Sequence, residues 1–248
     1  MIGIITIDNI KRNALTIDFI NYLIDSIKKH EKDKCRVIVI QSKCINNVWS
    51  SGLDISEFPN YDEDFLVFNG PLERLIRTVQ QSPIPIIAQV DGAVYGGACE
   101  FVFVCDIIIC TPESSFILTP AKIGLPYNPS GLLHLVNVIG INIAKEMFFT
   151  AEPLTAERGH EIGFINHLFN KDDICEETLK IAKNIIRNSP LANSVIKEQL
   201  RIFTNSKSVS PETYERIEYL RNKVFKSDDY KEGVKAFFEK RKPEFKGK

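Results

Sequence analysis

The sequence lacks the patterns of a metal centre and the charge of a nucleic-acid-binding protein. Its four histidines and six cysteines form no C-x-x-C, H-x-x-x-H or H-E-x-x-H pattern, and we expect free, mostly buried thiols and no metal. The formal net charge is −1, from 31 Lys and Arg against 32 Asp and Glu. Without a basic excess we expect no nucleic-acid partner, although a local basic patch can still hold a small anion.

Long uncharged stretches are also scarce. The longest segment without Asp, Glu, Lys or Arg covers residues 123–144 and contains Pro126, Pro129 and three glycines. We therefore expect no uninterrupted lipid-facing helix and no membrane partner. The first residues, MIGIITID, have no basic leader and reach an acidic residue at once. This beginning predicts a cytoplasmic protein.

The composition is that of a globular protein with a substantial core. Of the 248 residues, 44% are hydrophobic and 25% are charged, which fits one large α/β domain. Strand patterns in the first half alternate with helical ones. We predict strands at 2–7, 36–41, 83–90, 106–110 and 115–118, and helices from Thr16, over 62–81, and near residues 97, 132 and 143. Further helices are predicted at 173–187, 191–204, 211–225 and 228–240. The expected division is a core over 1–190 and a C-terminal helical region over 191–248.

Four segments together carry a functional signal that none carries alone. They are residues 11–15 (KRNAL), 49–55 (WSSGLDI), 92–100 (GAVYGGACE) and 119–131 (TPAKIGLPYNPSG). Singly, each is an ordinary turn or cap. In this order and at these spacings, they resemble the enoyl-CoA hydratase/isomerase (crotonase) superfamily over nearly the whole chain. The segments TAER (155–158) and GFINH (163–167) and the run 229–243 make the methylmalonyl-CoA decarboxylases the most similar branch.

The resemblance implies a fold, an assembly and an anion site. The fold is the α/β crotonase-type β-β-α superhelix, and the assembly is a homotrimer or a dimer of trimers. No separate cofactor is implied, since coenzyme A is part of the acyl-CoA substrate. The backbone N–H groups of Leu53 and Gly97 would form an oxyanion hole for an enolate. Leu53 stands where the decarboxylases are expected to have His, so pocket shape and substrate choice are in question but the donor is not.

Coenzyme A itself is expected to lie against the first two segments. The residues that the resemblance implies for this contact are Lys11, Arg12, Ala14, Ser51, Gly52, Asp54 and Ile55. A second basic cluster at 240–242 is another candidate for the phosphates, although such charge runs are more often solvated faces. Phe237 and Phe238 could cover the pocket of their own or of a neighbouring subunit, but core packing is their more ordinary use.

The choice of reaction depends on Glu100 and Tyr127. Glu100 matches one of the two glutamates of the hydratases, but the second falls at Pro120, or at Ala121 after a shift of one residue. Neither residue can transfer a proton, so a hydratase would lack one of its two catalytic glutamates. An isomerase needs only one base. In the decarboxylases, the residue matching Tyr127 hydrogen-bonds the substrate carboxylate and orients the breaking C–C bond.

The leading hypothesis is therefore decarboxylation of a malonyl-type CoA thioester, methylmalonyl-CoA to propionyl-CoA, through an enolate. Two alternatives remain open: an enoyl-CoA isomerase or atypical hydratase that uses Glu100, and an acyl-CoA-binding protein without turnover. Structural roles are also open for both side chains. Tyr127 could be a turn residue packed between prolines, and Glu100 could cap or pair within its own helix.

Overall fold

The computed structural model describes residues 1–57, 70–204 and 210–246. Its strands form two sheets and are β1 (Ile2–Ile7), β2 (Val37–Ser42), β3 (Val48–Ser50), β4 (Ile86–Val90), β5 (Ala93–Tyr95), β6 (Ile107–Cys110), β7 (Ser115–Ile117), β8 (Leu154–Thr155) and β9 (His167–Leu168). The first sheet has the order β1-β2-β4-β6-β9 and is parallel throughout. The second has the order β3-β5-β7-β8, with β8 antiparallel to β7.

The helices alternate with the strands first and then follow them. They are α1 (Ile10–Asn13), α2 (Ile17–Lys32), α3 (Pro71–Gln81), α4 (Gly97–Phe103), α5 (Pro129–Thr150), α6 (Ala156–Glu161), α7 (Ile174–Arg187), α8 (Pro190–Thr204), α9 (Pro211–Phe225) and α10 (Asp228–Phe238), with short 3-10 helices at Ile55–Glu57 and Pro120–Ile123. Local sequence determines where several of these helices begin. For example, the Thr16 hydroxyl accepts a hydrogen bond from the Phe19 N–H and caps α2.

The connectivity repeats a strand of the first sheet, a strand of the second, and then a helix. The order β2-β3-α3 is followed by β4-β5-α4 and by β6-β7 with its 3-10 helix. This is the β-β-α superhelix that the resemblance predicts. Alternation along β2 shows why the first sheet is buried on both faces: Ile38 and Ile40 face the main core, while Val37 and Val39 face α7. Four of the six free cysteines are buried, as predicted.

The short strands and two helix boundaries differ from the sequence predictions. The periodicity of residues 48–50, 93–95, 154–155 and 167–168 did not predict β3, β5, β8 and β9, because two or three residues carry no readable alternation. The two helices predicted near residues 132 and 143 are the single helix α5, broken at Gly140 (φ 77°, ψ 157°). The helix predicted over 62–81 is α3, which begins at Pro71; residues 62–69 lie outside the described residues.

By length and composition alone, α5 could cross a membrane. Within the described fold, its conformation is interrupted at Gly140, in line with the expectation that this segment forms no uninterrupted helix. Its inner side chains, Leu135, Ile139, Ala144 and Met147, belong to the main hydrophobic core.

The C-terminal helices pack on the part of the core that carries Tyr127. Phe225, Tyr230 and Val234 form a small cluster against Leu125. A Cβ atom at Gly233 would lie 2.4 Å from the Ile123 carbonyl oxygen, so glycine permits a close approach of α10. The helices predicted at 173–187, 191–204, 211–225 and 228–240 correspond to α7 to α10. The domain boundary near residue 190 stays a prediction.

Candidate active site

The first predicted CoA segment is a strained turn held by a buried amide. Lys11, Arg12 and Asn13 have φ values of 52°, 58° and 59°, a conformation that costs a non-glycine residue roughly 1–2 kcal/mol. The Asn13 side-chain NH₂ donates to Ser42 Oγ and to the carbonyl oxygens of Lys43 and Trp49. Because Asn13 is fully buried, these bonds fix the turn to the core. Asn13 was not among the predicted site residues.

The structure brings the first two predicted CoA segments together. The Ser51 hydroxyl donates to the Lys11 carbonyl oxygen at 2.8 Å, and the Ser51 N–H donates to the Arg12 carbonyl oxygen at 3.0 Å. The Leu15 N–H donates to the Gly52 carbonyl oxygen at 2.8 Å. Ala14 is buried between the two segments, whereas Arg12 is exposed and Ile55 begins a 3-10 helix.

Lys11 is an exposed cation tethered at the edge of this surface. Its Nζ lies 2.7 Å from Asp54 Oδ2 and 2.9 Å from Ser56 Oγ. Burial opposes ionisation of Asp54, but the hydrogen bonds from Lys11 and Ser56 outweigh it and hold the pKa of this carboxyl below its usual value. The ammonium group is thus available at the surface without being an isolated charge.

The amides of Leu53 and Gly97 lie in adjacent loops. A Cβ atom at Gly97 would be 3.1 Å from Leu53 Cγ, and one at Gly52 would be 3.5 Å from the Gly97 nitrogen. Leu53 forms a parallel β-bridge with Leu15. The two hydrogen bonds of this bridge run from the Leu15 N–H to the Gly52 carbonyl oxygen and from the Asp54 N–H to the Leu15 carbonyl oxygen. The Leu53 N–H therefore points to the opposite side, away from Leu15.

Both amides are free to donate. Gly97 is the first residue of α4, so its N–H has no partner within the helix. In the described parts of the chain, neither it nor the Leu53 N–H donates a hydrogen bond to another residue. Glycine at 52 and 96 permits the loop conformations, with φ values of 82° and 52°.

Glu100 and Tyr127 are in direct contact. Glu100 is completely buried on α4, three residues after Gly97, and the Tyr127 hydroxyl donates to its Oε2 at 3.1 Å. Its other oxygen, Oε1, lies 3.2 Å from Nδ1 of His134 on α5. Burial, and then the charge of Glu100, raise the pKa of Tyr127 well above its usual value, so the phenol stays a hydrogen-bond donor. Glu100 therefore pairs with other elements rather than within its own helix, and the Tyr127 hydroxyl faces the helix that Gly97 begins.

A second buried carboxylate, Glu73 on α3, lies beside this group. Ser130 Oγ donates to Glu73 Oε2 at 2.8 Å and accepts from Asn128 Nδ2 at 3.1 Å. Burial raises the pKa of Glu73, and the nearby charge of Glu100 adds to the rise. Sequence comparison with the hydratases placed only Pro120 or Ala121 opposite Glu100, so this carboxylate was missed. A readable signal existed, because Glu73 lies among the buried positions of an otherwise amphipathic α3.

We predict that Glu73→Gln stabilises the protein more at pH 7 than at pH 4. A carboxyl whose pKa is raised by folding binds more protons when folded than when unfolded, so its contribution to stability falls as pH rises from its usual value of about 4.3. Gln removes that penalty and can still accept from Ser130. Urea unfolding of both proteins at the two pH values measures it. An equal stability difference at both pH values would contradict the prediction.

In the second basic cluster, Arg241 is engaged within the chain. Arg241 pairs with Glu232 at 2.5 Å and with Glu239 at 2.6 Å. These bonds favour the solvated-face interpretation for Arg241 over phosphate binding. Phe237 and Phe238 are 51% and 44% exposed, so the expectation that they pack in the core is wrong: their rings meet edge to face at the end of α10.

The whole chain matches a known family. Residues 1–248 match the profile of the enoyl-CoA hydratase/isomerase family. Methylmalonyl-CoA decarboxylase of Escherichia coli (strain K12) is 39% identical, over 96% of this chain and 91% of that protein. A probable enoyl-CoA hydratase of Bacillus subtilis (strain 168) is 29% identical, over 99% of this chain and 95% of that protein.

Solved structures agree with this comparison. A methylmalonyl-CoA decarboxylase in complex with 2-nitronate-propionyl-CoA superposes with a TM-score of 0.96 at 37% identity, covering 100% of this chain and 95% of that one. Another, complexed with 2S-carboxypropyl-CoA, superposes with a TM-score of 0.95 at 36% identity and the same coverage. From its sequence and its fold, the chain belongs to the enoyl-CoA hydratase/isomerase family.

Proposed function

We propose that this protein decarboxylates a malonyl-type CoA thioester, converting methylmalonyl-CoA to propionyl-CoA. The observation that carries the proposal is the hydrogen bond from the Tyr127 hydroxyl to Glu100, which lies three residues after Gly97 on α4. Similarity to methylmalonyl-CoA decarboxylase over 96% of the chain supports the assignment. So do the relatives' complexes with 2-nitronate-propionyl-CoA and 2S-carboxypropyl-CoA.

The chemistry needs a stabilised enolate more than a strong base. When the C–C bond to the carboxylate breaks, its electron pair passes to the carbon next to the thioester, and negative charge collects on the thioester oxygen. The Leu53 and Gly97 amides receive that oxygen as an oxyanion hole. They are held in place before the reaction, and one such donor is worth about 3–4 kcal/mol of barrier lowering.

Tyr127 holds the substrate carboxylate. Its hydroxyl has one hydrogen, which goes to Glu100 in the free protein. The substrate carboxylate replaces Glu100 as acceptor and is fixed so that the breaking bond overlaps the thioester π system. Glu100 then lies beside the reacting carbon, where it can return a proton to the enolate.

The exposed Lys11 and Arg12 lie where the nucleotide end of coenzyme A would approach. Ser51 is hydrogen-bonded to the backbone of both residues, and Asp54 holds the Lys11 ammonium. The second loop, from Ser51 through Gly52 to Ile55, supplies the adjoining backbone, and Ala14 is buried beneath it. We assign these residues to CoA binding.

Incubation of the purified protein with methylmalonyl-CoA and, separately, malonyl-CoA tests the proposal. We expect release of CO₂ with an equal amount of propionyl-CoA or acetyl-CoA. If neither substrate releases CO₂, the proposed function is wrong. Tight acyl-CoA binding without turnover of any thioester would instead indicate the non-catalytic binding protein.

Glu73 favours one second candidate, an enoyl-CoA hydratase or isomerase. A second buried carboxylate close to Glu100 restores part of the acid–base pair that the sequence comparison found missing. Conversion of crotonyl-CoA or a 3-enoyl-CoA, abolished by Glu100→Gln, would support this reaction.

We propose that the chain assembles as a homotrimer or a dimer of trimers. Leu191, Val195, Ile196 and Ile202 on α8 all leave more than half of their surface exposed, and large apolar patches commonly mark protein interfaces. Light scattering should give three or six times the 28.2 kDa chain mass.

A further inference from the structure

His134 lies between the buried catalytic carboxylate and a second opening to solvent. Its Nδ1 is 3.2 Å from Glu100 Oε1, and 11% of its side chain is exposed, whereas Glu100 has no exposed surface. The exposed part of His134 lines a cleft of about 370 Å³. The cleft is formed by the end of α3, the residues after α4, the middle of α5, and α8.

The cleft is at the opposite end of α4 from the oxyanion-hole amides. Gly97 begins the helix, while Phe103, Cys105 and Asp106 at its far end line the cleft. Solvent that enters here therefore reaches His134, which contacts Glu100, without passing the two amides.

The proposed reaction makes a proton supply necessary. Loss of CO₂ leaves an enolate, and one proton from outside must reach its carbon to complete propionyl-CoA. Glu100 is positioned to deliver that proton but is sealed from solvent. A bound thioester blocks the front of the pocket, so reprotonation of Glu100 during turnover requires another path.

We propose that His134 is a proton relay that recharges Glu100 from this cleft, an inference that rests on the proposed function. Cleft water gives a proton to Nε2 and leaves as hydroxide, and the imidazolium releases the Nδ1 proton to Glu100 Oε1. Glu100 then transfers its proton to the carbon as the enolate π electrons form the new C–H bond. The oxyanion becomes the thioester carbonyl, and one proton from water has been consumed. His134 acts through Glu100 and does not touch the substrate.

The charged groups around His134 come from each element packed against it. Glu100 faces His134 from α4. Glu73 on α3 is close enough to interact electrostatically with His134. Around the cleft, Lys197 pairs with Asp106 at 2.7 Å and Arg201 pairs with Glu198 at 2.6 Å. The two cations of the cleft are therefore already paired with carboxylates, and His134 is the cleft residue in contact with Glu100.

Deuterium exchange measures the protonation step without decarboxylation. In D₂O, the enzyme should incorporate deuterium at the carbon next to the thioester of propionyl-CoA, through Glu100. We expect His134→Ala and His134→Gln to slow this exchange about 100-fold, the size typical of a lost proton-transfer group. Added imidazole should restore exchange in the alanine variant, because the cleft admits it. Asn137→Ala, which changes the same cleft away from Glu100, should exchange at the unaltered rate.

The outcomes separate the relay from the function. Unchanged exchange in both folded His134 variants overturns the relay, as does a loss in His134→Ala that imidazole does not restore. No exchange by the unaltered protein also overturns it, because Glu100 would then not reach the substrate carbon. The proposed function has its own test: if methylmalonyl-CoA releases no CO₂, that function is refuted. The exchange assay tests the relay independently of that result.

Discussion

Tyr127→Phe should lower kcat for methylmalonyl-CoA about 100-fold, with little change in acyl-CoA affinity. The variant keeps the ring, which packs 5.0 Å from that of Phe148, and removes only the hydroxyl. Loss of one positioning bond at the reacting group is expected to cost that factor, because the carboxylate no longer holds the productive conformer. Steady-state kinetics and titration with propionyl-CoA measure the two effects separately.

A matched control is Tyr22→Phe, on the exposed side of α2. It should leave kcat unchanged. The Tyr127 variant also leaves a buried oxygen of Glu100 without its donor, at a cost of about 1–3 kcal/mol. Thermal unfolding therefore needs to be measured alongside kinetics. Full turnover in a folded Tyr127→Phe protein would refute the role given to the hydroxyl.

Gly97→Pro should reduce kcat/KM about 10²–10³-fold by removing one oxyanion-hole donor. Proline has no N–H, and the first position of a helix is where it is best tolerated, so α4 is expected to form. Few substitutions remove a backbone donor while keeping the helix. Because the amide acts on the developing enolate oxygen, binding of the ground-state thioester should suffer less than turnover.

Gly97→Ala is the matched control for the added bulk. Its Cβ would lie 2.9 Å from Leu72 Cδ2 and 3.1 Å from Leu53 Cγ, so the alanine variant crowds the same place but keeps the N–H. We expect the alanine variant to lose less activity than the proline variant. Equal losses in the two variants would assign the effect to crowding and contradict the role of the amide.

Local pattern was enough to predict most of the long elements, and the family resemblance predicted the juxtaposition of the loops. The apolar run of Val and Ile in residues 37–40 predicted a buried strand. The structure shows why every residue of the run is apolar: both faces of β2 are covered, one by the main core and the other by α7. The loops that contain Leu53 and Gly97 were brought together by resemblance, and the structure places them in contact. The cytoplasmic location and the lack of a separate cofactor stay predictions.

The carboxylate cluster could not be predicted in the same way, because its contacts are long-range. Glu73, Glu100 and His134 come from three helices, and no local spacing relates them. His134 has no metal-ligand pattern, so in the sequence it is indistinguishable from an ordinary core histidine. Only the packing of α3, α4 and α5 shows that it contacts Glu100 and lines the cleft.

The ratio of kcat/KM for methylmalonyl-CoA decarboxylation to that for crotonyl-CoA hydration, measured side by side on one preparation, tests the proposed reaction most directly. We predict a ratio well above one, with Tyr127→Phe reducing the decarboxylation and leaving any residual hydration less affected. A ratio below one, with hydration abolished by Glu100→Gln, would contradict decarboxylation and establish the hydratase.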